Sequence, residues 1–287
     1  MRGIPQPPNE PRVEGCPIVK VSDSIQDVEH LLRSLYDPLF NSAKQLEFAV
    51  VAALVRLGKK YNFNQLLTAT VARLTAQFPQ TLRGSIAYKP SYTIAESPGL
   101  LFDAINLATE NGLLTLLPWL YFNVLLVYQY DQECILTGIQ RNNGTVAKLT
   151  LATQIVLAKS RRNVLRTQAA LLFDWLAPEH LSSPTCASRV ECITLRDSST
   201  CGFFVPIYHL KTMRWDSTFE RGFCAHCRAV MTIKFDEGSQ KCCPRSLAFL
   251  SGRISRTMFK SIPQRRVGFF PRSRSPIPIF DTTGVYT

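Results

Sequence analysis

Cys224-Ala225-His226-Cys227 is the one compact arrangement in this sequence that suggests metal chemistry. A C-x-x-C turn can present two thiolates to one tetrahedral zinc ion, and Cys186 with Cys192 could complete a four-thiolate set from upstream. The C-x5-C spacing of that second pair is not that of a standard zinc knuckle. Cys201, His209, His226 and the vicinal Cys242-Cys243 are looser substitutes as ligands. A structural zinc that pins the C-terminal segment onto the rest of the chain is the sharper reading. Buried free cysteines, a common state of this residue, stand beside it. A redox pair ranks third, because no thioredoxin-like βαβ pattern surrounds the motif.

No other residue set points to catalysis. The sequence has no P-loop, no Rossmann fingerprint, no H-E-x-x-H and no G-x-S-x-G. His30, His180, His209 and His226 are scattered. Asp103 and Glu110 lie seven apart on one helix face, where a solvated flank explains them more simply than paired acid-base work. The expectation is a protein that is not an enzyme, with no certain cofactor and a structural zinc as the one candidate.

Composition narrows the setting. The chain has 287 residues, 46% of them apolar and 19% charged, enough for a real core. Its first twelve residues, rich in proline, lack the apolar stretch of a signal peptide. Nine cysteines, odd in number and loosely spaced, then fit a reducing compartment, so the expected location is intracellular, in cytoplasm or nucleus. By the same argument Asn143-Gly144-Thr145 is no glycosylation site, and Asn142-Asn143-Gly144 reads as a turn. The most apolar run, Leu113 to Tyr128, is too short for a membrane span and is interrupted by Pro118, so a buried helical hairpin is expected and no membrane contact. Of the net charge of +12, eight units fall in residues 241–287, where nine Lys or Arg face the single acid Asp281. The basic character is thus assigned to a tail, expected to be disordered, and nucleic acid is an expected partner only through that tail.

The elements that would position these residues are mostly helices. Ser24, with Asp27 as capping-box acid, should start a helix that Pro38 stops, and Ile25, Val28, Leu31, Leu32, Leu35 and Tyr36 should form its buried face. Pro17 to Val21 reads as a strand whose partners must come from elsewhere. A second helix carries Val50, Val51, Leu54, Leu57, Gly58 and Tyr61 on one face. A third is capped by Asn64 and striped by Leu67, Val71, Leu74 and Phe78. After a polar linker, a helix from Leu100 closes at Asn111-Gly112, and a long, kinked helical pattern runs from Leu151 to Leu176 with no strand alternation before residue 190. The fold class is mainly α with a small β component. The divisions are a proline-rich segment at 1–16, an α/β unit at 17–80, a linker at 81–98, a mainly helical domain at 99–240 and the tail at 241–287.

The order strand, helix ending in Leu35-Tyr36-Asp37-Pro38, helix ending in Lys59-Lys60-Tyr61-Asn62-Phe63, and closing helix resembles the second half of a BTB/POZ domain. More narrowly, IPQPPNEPRVEGCPIVKVSDSIQDVEHLLRSLYDP, VVAALVRLGKKYNF, YKPSYTIAESPGLLFDAINLATENGLL and FCAHCR resemble BTB-domain proteins of mushroom-forming fungi, over roughly residues 4 to 240. The resemblance implies a BTB-like unit that lacks its first half, followed by a family-specific helical domain. The basic end departs from the family pattern. Such domains self-associate or link partners to a cullin ubiquitin ligase or to transcriptional repressors, so the implied function is that of a non-catalytic scaffold or adaptor. Tyr36, Val50, Leu54 and Tyr61 are the residues expected to serve helix-face packing or a partner surface. The alternative is a zinc-stabilised nucleic-acid-binding protein that uses the cysteine cluster and the basic tail.

Overall fold

The structure, a computed structural model, describes residues 12–18, 20–37, 39–78, 92–177, 185–204, 210 and 213–251. It is mainly helical, with two small antiparallel hairpins as its β component. The first hairpin pairs β1 (Arg12–Val13) with β2 (Cys16–Pro17). This corrects the strand expected at 17–21. Glu14 and Gly15 both take positive φ, the two-residue turn that matches strand twist, so the partner is local. Ile18 and Val21 lie outside any strand and are exposed.

Helix α1 (Ile25–Tyr36) and helix α2 (Phe48–Lys60) pack against each other. Ser24 holds the N-cap position in extended backbone, but its hydroxyl makes no cap bond. Asp27 is drawn across to Arg56 instead and accepts from Nε at 2.9 Å and from a terminal nitrogen at 2.8 Å. The buried face expected of α1 is corrected too. Only Leu31 and Ser34 are buried, while Ile25 is 86% and Tyr36 83% exposed, with Leu32 and Leu35 about half exposed. Only the side of α1 that carries Leu31 and Ser34 is covered.

Helix α2 behaves in the opposite way. Val50, Val51, Ala52, Ala53, Leu54, Val55, Leu57 and Gly58 are all buried, so it is the central helix of this region. Helix α3 (Asn64–Gln77) packs on its far side. Asn64 is the first helical residue and Phe63 the cap, one position before the expected one, because Asn62 takes the left-handed turn. Leu74 and Phe78 of the α3 stripe are buried, while Leu67 and Val71 are half-buried.

The stretch read as a linker is described from Tyr92 onward. There Ile94 is fully buried and bridges to Leu46, and Arg73 donates to the carbonyls of Asn41, Ala43 and Thr93. One apolar core runs from Leu31 through Ile94 to Leu250.

Helix α4 (Leu100–Asn111) closes on left-handed Gly112. Helix α5 (Leu117–Val127) carries Pro118 in its first turn, where a missing N–H costs nothing, and it packs against α4, so the apolar run is the buried second arm of a helical hairpin whose turn lies before Pro118. After α6 (Glu133–Thr137), β3 (Ile139–Gln140) and β4 (Val146–Ala147) flank the expected Asn142-Asn143-Gly144 turn. At two residues each, these strands are too short to show alternation. Asp103 binds Arg141 and ties this hairpin to α4, a structural use of that acid.

Helix α7 (Leu151–Thr167) begins with Thr150 capping Thr153 and passes into a π turn at Gln168–Leu172, the physical form of the expected kink. Helix α8 (Arg189–Phe204) and helix α9 (Ala225–Leu250) follow. Helix α9 overturns the expected tail boundary at 241, since Cys242, Cys243, Ser246 and Leu250 are buried within it. Pro244 lies inside the helix, whose buried side chains on either side hold it together. The remainder of the expected tail, like the proline-rich segment before Arg12, lies outside the described residues. No helix among the described residues is long and apolar enough to cross a membrane.

Candidate metal centre

Two helix starts converge on one point. Cys186 stands in the turn before α8 and Cys192 in its first turn, where the Cys192 N–H donates to the carbonyl of Ser188. Cys224 is the N-cap of α9 and Cys227 follows in its first turn. Gly222, at φ +83°, turns the chain into that cap against Leu195 of α8, and a Cβ there would press on the leucine methyls. Behind α9, the rings of Phe173, Trp175, Trp215, Phe219 and Phe235 pack edge to face and fix its axis.

The four sulfurs lie within 4.8 Å of one another. Cys186 is 3.8 Å from Cys224 and 3.5 Å from Cys227. A tetrahedral ion with metal–sulfur bonds of about 2.3 Å needs sulfur–sulfur separations of about 3.8 Å, whereas a disulfide needs about 2 Å. The spacing therefore suits a shared ion, and all four cysteines are free thiols. Cys192 and Cys227 are buried and Cys186 and Cys224 half-buried, which shields the cluster from bulk water.

The amides around the sulfurs carry more information than the spacing. The backbone N–H of Cys224 points at the sulfur of Cys192 at 3.5 Å, and those of Cys227 and Ala187 point at the sulfur of Cys224. N–H donors aimed at sulfur, at a helix N-terminus, favour thiolate over thiol. The backbone amide of Cys227 is the main reason that Cys224 is lowered to about 6. Burial pushes Cys192 and Cys227 the other way. A divalent ion at the centre would offset the cost that burial places on ionising Cys192 and Cys227. The donor set fits a metal.

The looser ligand candidates do not join the cluster. His226 Nε2 is hydrogen-bonded with the Thr185 hydroxyl at 2.8 Å. Cys242 and Cys243 are buried in α9, about 22 Å along the helix from Cys227. The side chain of Cys201 and all of His209 lie outside the described residues. Of the residues singled out for packing or partner contact, Val50 and Leu54 belong to the core, while Tyr36 and Tyr61 are exposed. The Tyr61 hydroxyl donates to Asp23. The contribution of Ala187 left no trace in the sequence, because a backbone N–H has no residue signature.

No family model, curated protein or solved structure matches the chain.

Proposed function

We propose that this chain is a non-catalytic protein-interaction module, stabilised by one zinc ion at Cys186, Cys192, Cys224 and Cys227, that self-associates through the outer face of α1. The carrying observation is that stripe. Ile25, Glu29, Leu32 and Tyr36 follow the four-three-four spacing of a helix–helix seam and all four are exposed, as is Leu39 just beyond. Exposed apolar side chains scattered singly are ordinary, but a contiguous stripe marks an interaction surface.

A second copy fits the stripe because its charges are self-complementary. Glu29 and Arg33 pair within one helix at 2.7 Å while both stay more than half exposed. In an antiparallel pair of α1 helices, each Glu29 comes within reach of the other copy's Arg33, and Ile25 of one copy comes opposite Tyr36 of the other. The resemblance of residues 17–80 to half of a BTB/POZ unit supports protein binding in general, and the α1 pairing itself rests on the stripe. Zinc is assigned over other ions by the all-sulfur, closed, four-ligand set typical of structural sites.

Size-exclusion chromatography with light scattering and metal analysis on the full chain tests both parts. The expected result is a dimer with one zinc per chain, converted to a zinc-bearing monomer by Leu32→Glu with Tyr36→Glu. A monomeric wild type would overturn the self-association, and a metal-free folded protein would overturn the zinc.

A further inference from the structure

The average charge of the protein hides a segregation. Between Glu133 and Asp174 the chain runs forty residues without an acid, and α7 lies wholly inside that run with Lys159, Arg161, Arg162 and Arg166. From Gly238 to its end at Leu250, α9 also has no acid and carries Lys241 and Arg245. These two segments pack against each other antiparallel. The Ser160 hydroxyl donates to the Phe249 carbonyl, and Gly238 abuts the backbone of Leu171, so Lys241 and Arg245 sit level with the C-terminal half of α7.

We propose that the outer face of α7, with Lys159, Arg162 and Arg166 at its centre and Lys241 and Arg245 beside it, binds the phosphate backbone of a nucleic acid. Spacings of three and four put Lys159, Arg162 and Arg166 on one face over a rise of about 10 Å. All three are exposed, and none forms an ion pair among the described residues. The opposite face, through Leu157, Ser160 and Val164, is buried, so the cations are carried on a rigid support. Two of the three are arginines, whose planar fork suits phosphate oxygens.

A protein partner fits this surface less well. The positions between the cations are Ala158, Asn163, Gln240 and Pro244, which supply no aromatic or large apolar anchor of the kind that centres a protein interface. The large exposed apolar residues of α7, Leu151 and Ile155, precede the cations, with Ile155 one turn before Lys159, and none lies among Lys159, Arg162 and Arg166. Unbroken positive charge without large fillers suits a repeating anion read without sequence preference. This inference does not depend on α1 or on self-association.

The test is the salt dependence of binding of a labelled DNA duplex of about 20 base pairs to the full chain and to Lys159→Glu/Arg162→Glu/Arg166→Glu, from roughly 50 to 200 mM salt. The variant is expected to bind at least about tenfold more weakly and to lose about 2 to 3 units of log–log salt slope, at about 0.9 per lost phosphate contact. A milder triple change to Gln, checked for an unchanged melting temperature, gives the same direction if the reversed one does not fold. Equal affinity and slope for wild type and Gln variant would overturn the proposal, as would no binding by the wild type at the lowest salt. Displacement of the duplex by polyglutamate at equal charge would also overturn it, and would assign the face to an acidic protein.

Discussion

The two ends of the described structure hold their helices together by different means. Beyond the apolar core that both ends share, the ties around α1 and α2 are ionic and lie at the rim: Asp27 with Arg56, and Asp23 with both Lys60 and Tyr61. Around α8 and α9 they are four sulfurs and a knot of aromatic rings. Rim ion pairs are worth about 1 kcal/mol or less each, and each can fail without the others. The proposed four-ligand metal site would fail as a whole, since the loss of one ligand would release an ion that holds two segments. The first end should therefore soften by increments, and the second should hold or come apart.

The strongest way to break this contrast is at Cys227. Cys227→Ser, or a strong chelator, should cost the α8–α9 region more than about 4 kcal/mol, the range reserved for lost metals and comparable defects. Hydrogen exchange should show the loss of protection confined to α8 and α9, with α2 unchanged. Equal loss at both ends would mean that the shared core couples them into one cooperative unit and that the contrast is false.

A smaller effect is expected where α9 crosses the π turn. A Cβ at Gly238 would run into the carbonyl oxygen of Leu171, so Gly238→Ala must push the two helices apart. Overpacking of this kind costs about 1 to 3 kcal/mol. Thermal unfolding should show it while the metal content stays that of wild type. A variant as stable as wild type would mean that the approach at 171–238 is not a fixed part of the fold.

These elements also show what could be read from residues alone. Helix α4 was legible to its last residue because Asn111-Gly112 is a local stop signal, and the four cysteines were legible as a set because thiols attract notice wherever they stand. The exposed side of α1 was not. Its apolar spacing was correctly read as helical, but periodicity gives a face and not what covers it, and only the Leu31–Ser34 side meets α2. The extension of α9 past residue 241 was hidden for a related reason, since Pro244 is a local break signal overruled by the burial of Cys242, Cys243 and Ser246. The basic stripe of α7 was missed because charge was counted over long blocks. An acid-free run of forty residues was visible in the sequence, but only the helix shows that three of its cations share an exposed face.

The subtlest test lies at the ionic end. Hydrogen bonds from Lys60 and then Tyr61 hold the Asp23 carboxyl below its ordinary value of 3.8, and the same carboxylate raises Lys60 above 10.5 and Tyr61 above 10.0. A carboxyl lowered on folding stabilises the fold above pH 3.8, and its contribution disappears as pH falls through the lower, folded value. A lysine raised on folding stabilises below pH 10.5, and loses its contribution as pH rises through the higher, folded value. The tie from Asp23, just ahead of α1, to the end of α2 is therefore complete from about pH 4 to 10 and fails at both extremes. Tyr61→Phe removes one of the two donors, so the carboxyl resonance of Asp23 should titrate at higher pH than in wild type yet still below 3.8, because Lys60 remains. If the titration of Asp23 does not move, the tyrosine contributes nothing to the tie, and the rim at this end rests on its lysine and arginine alone.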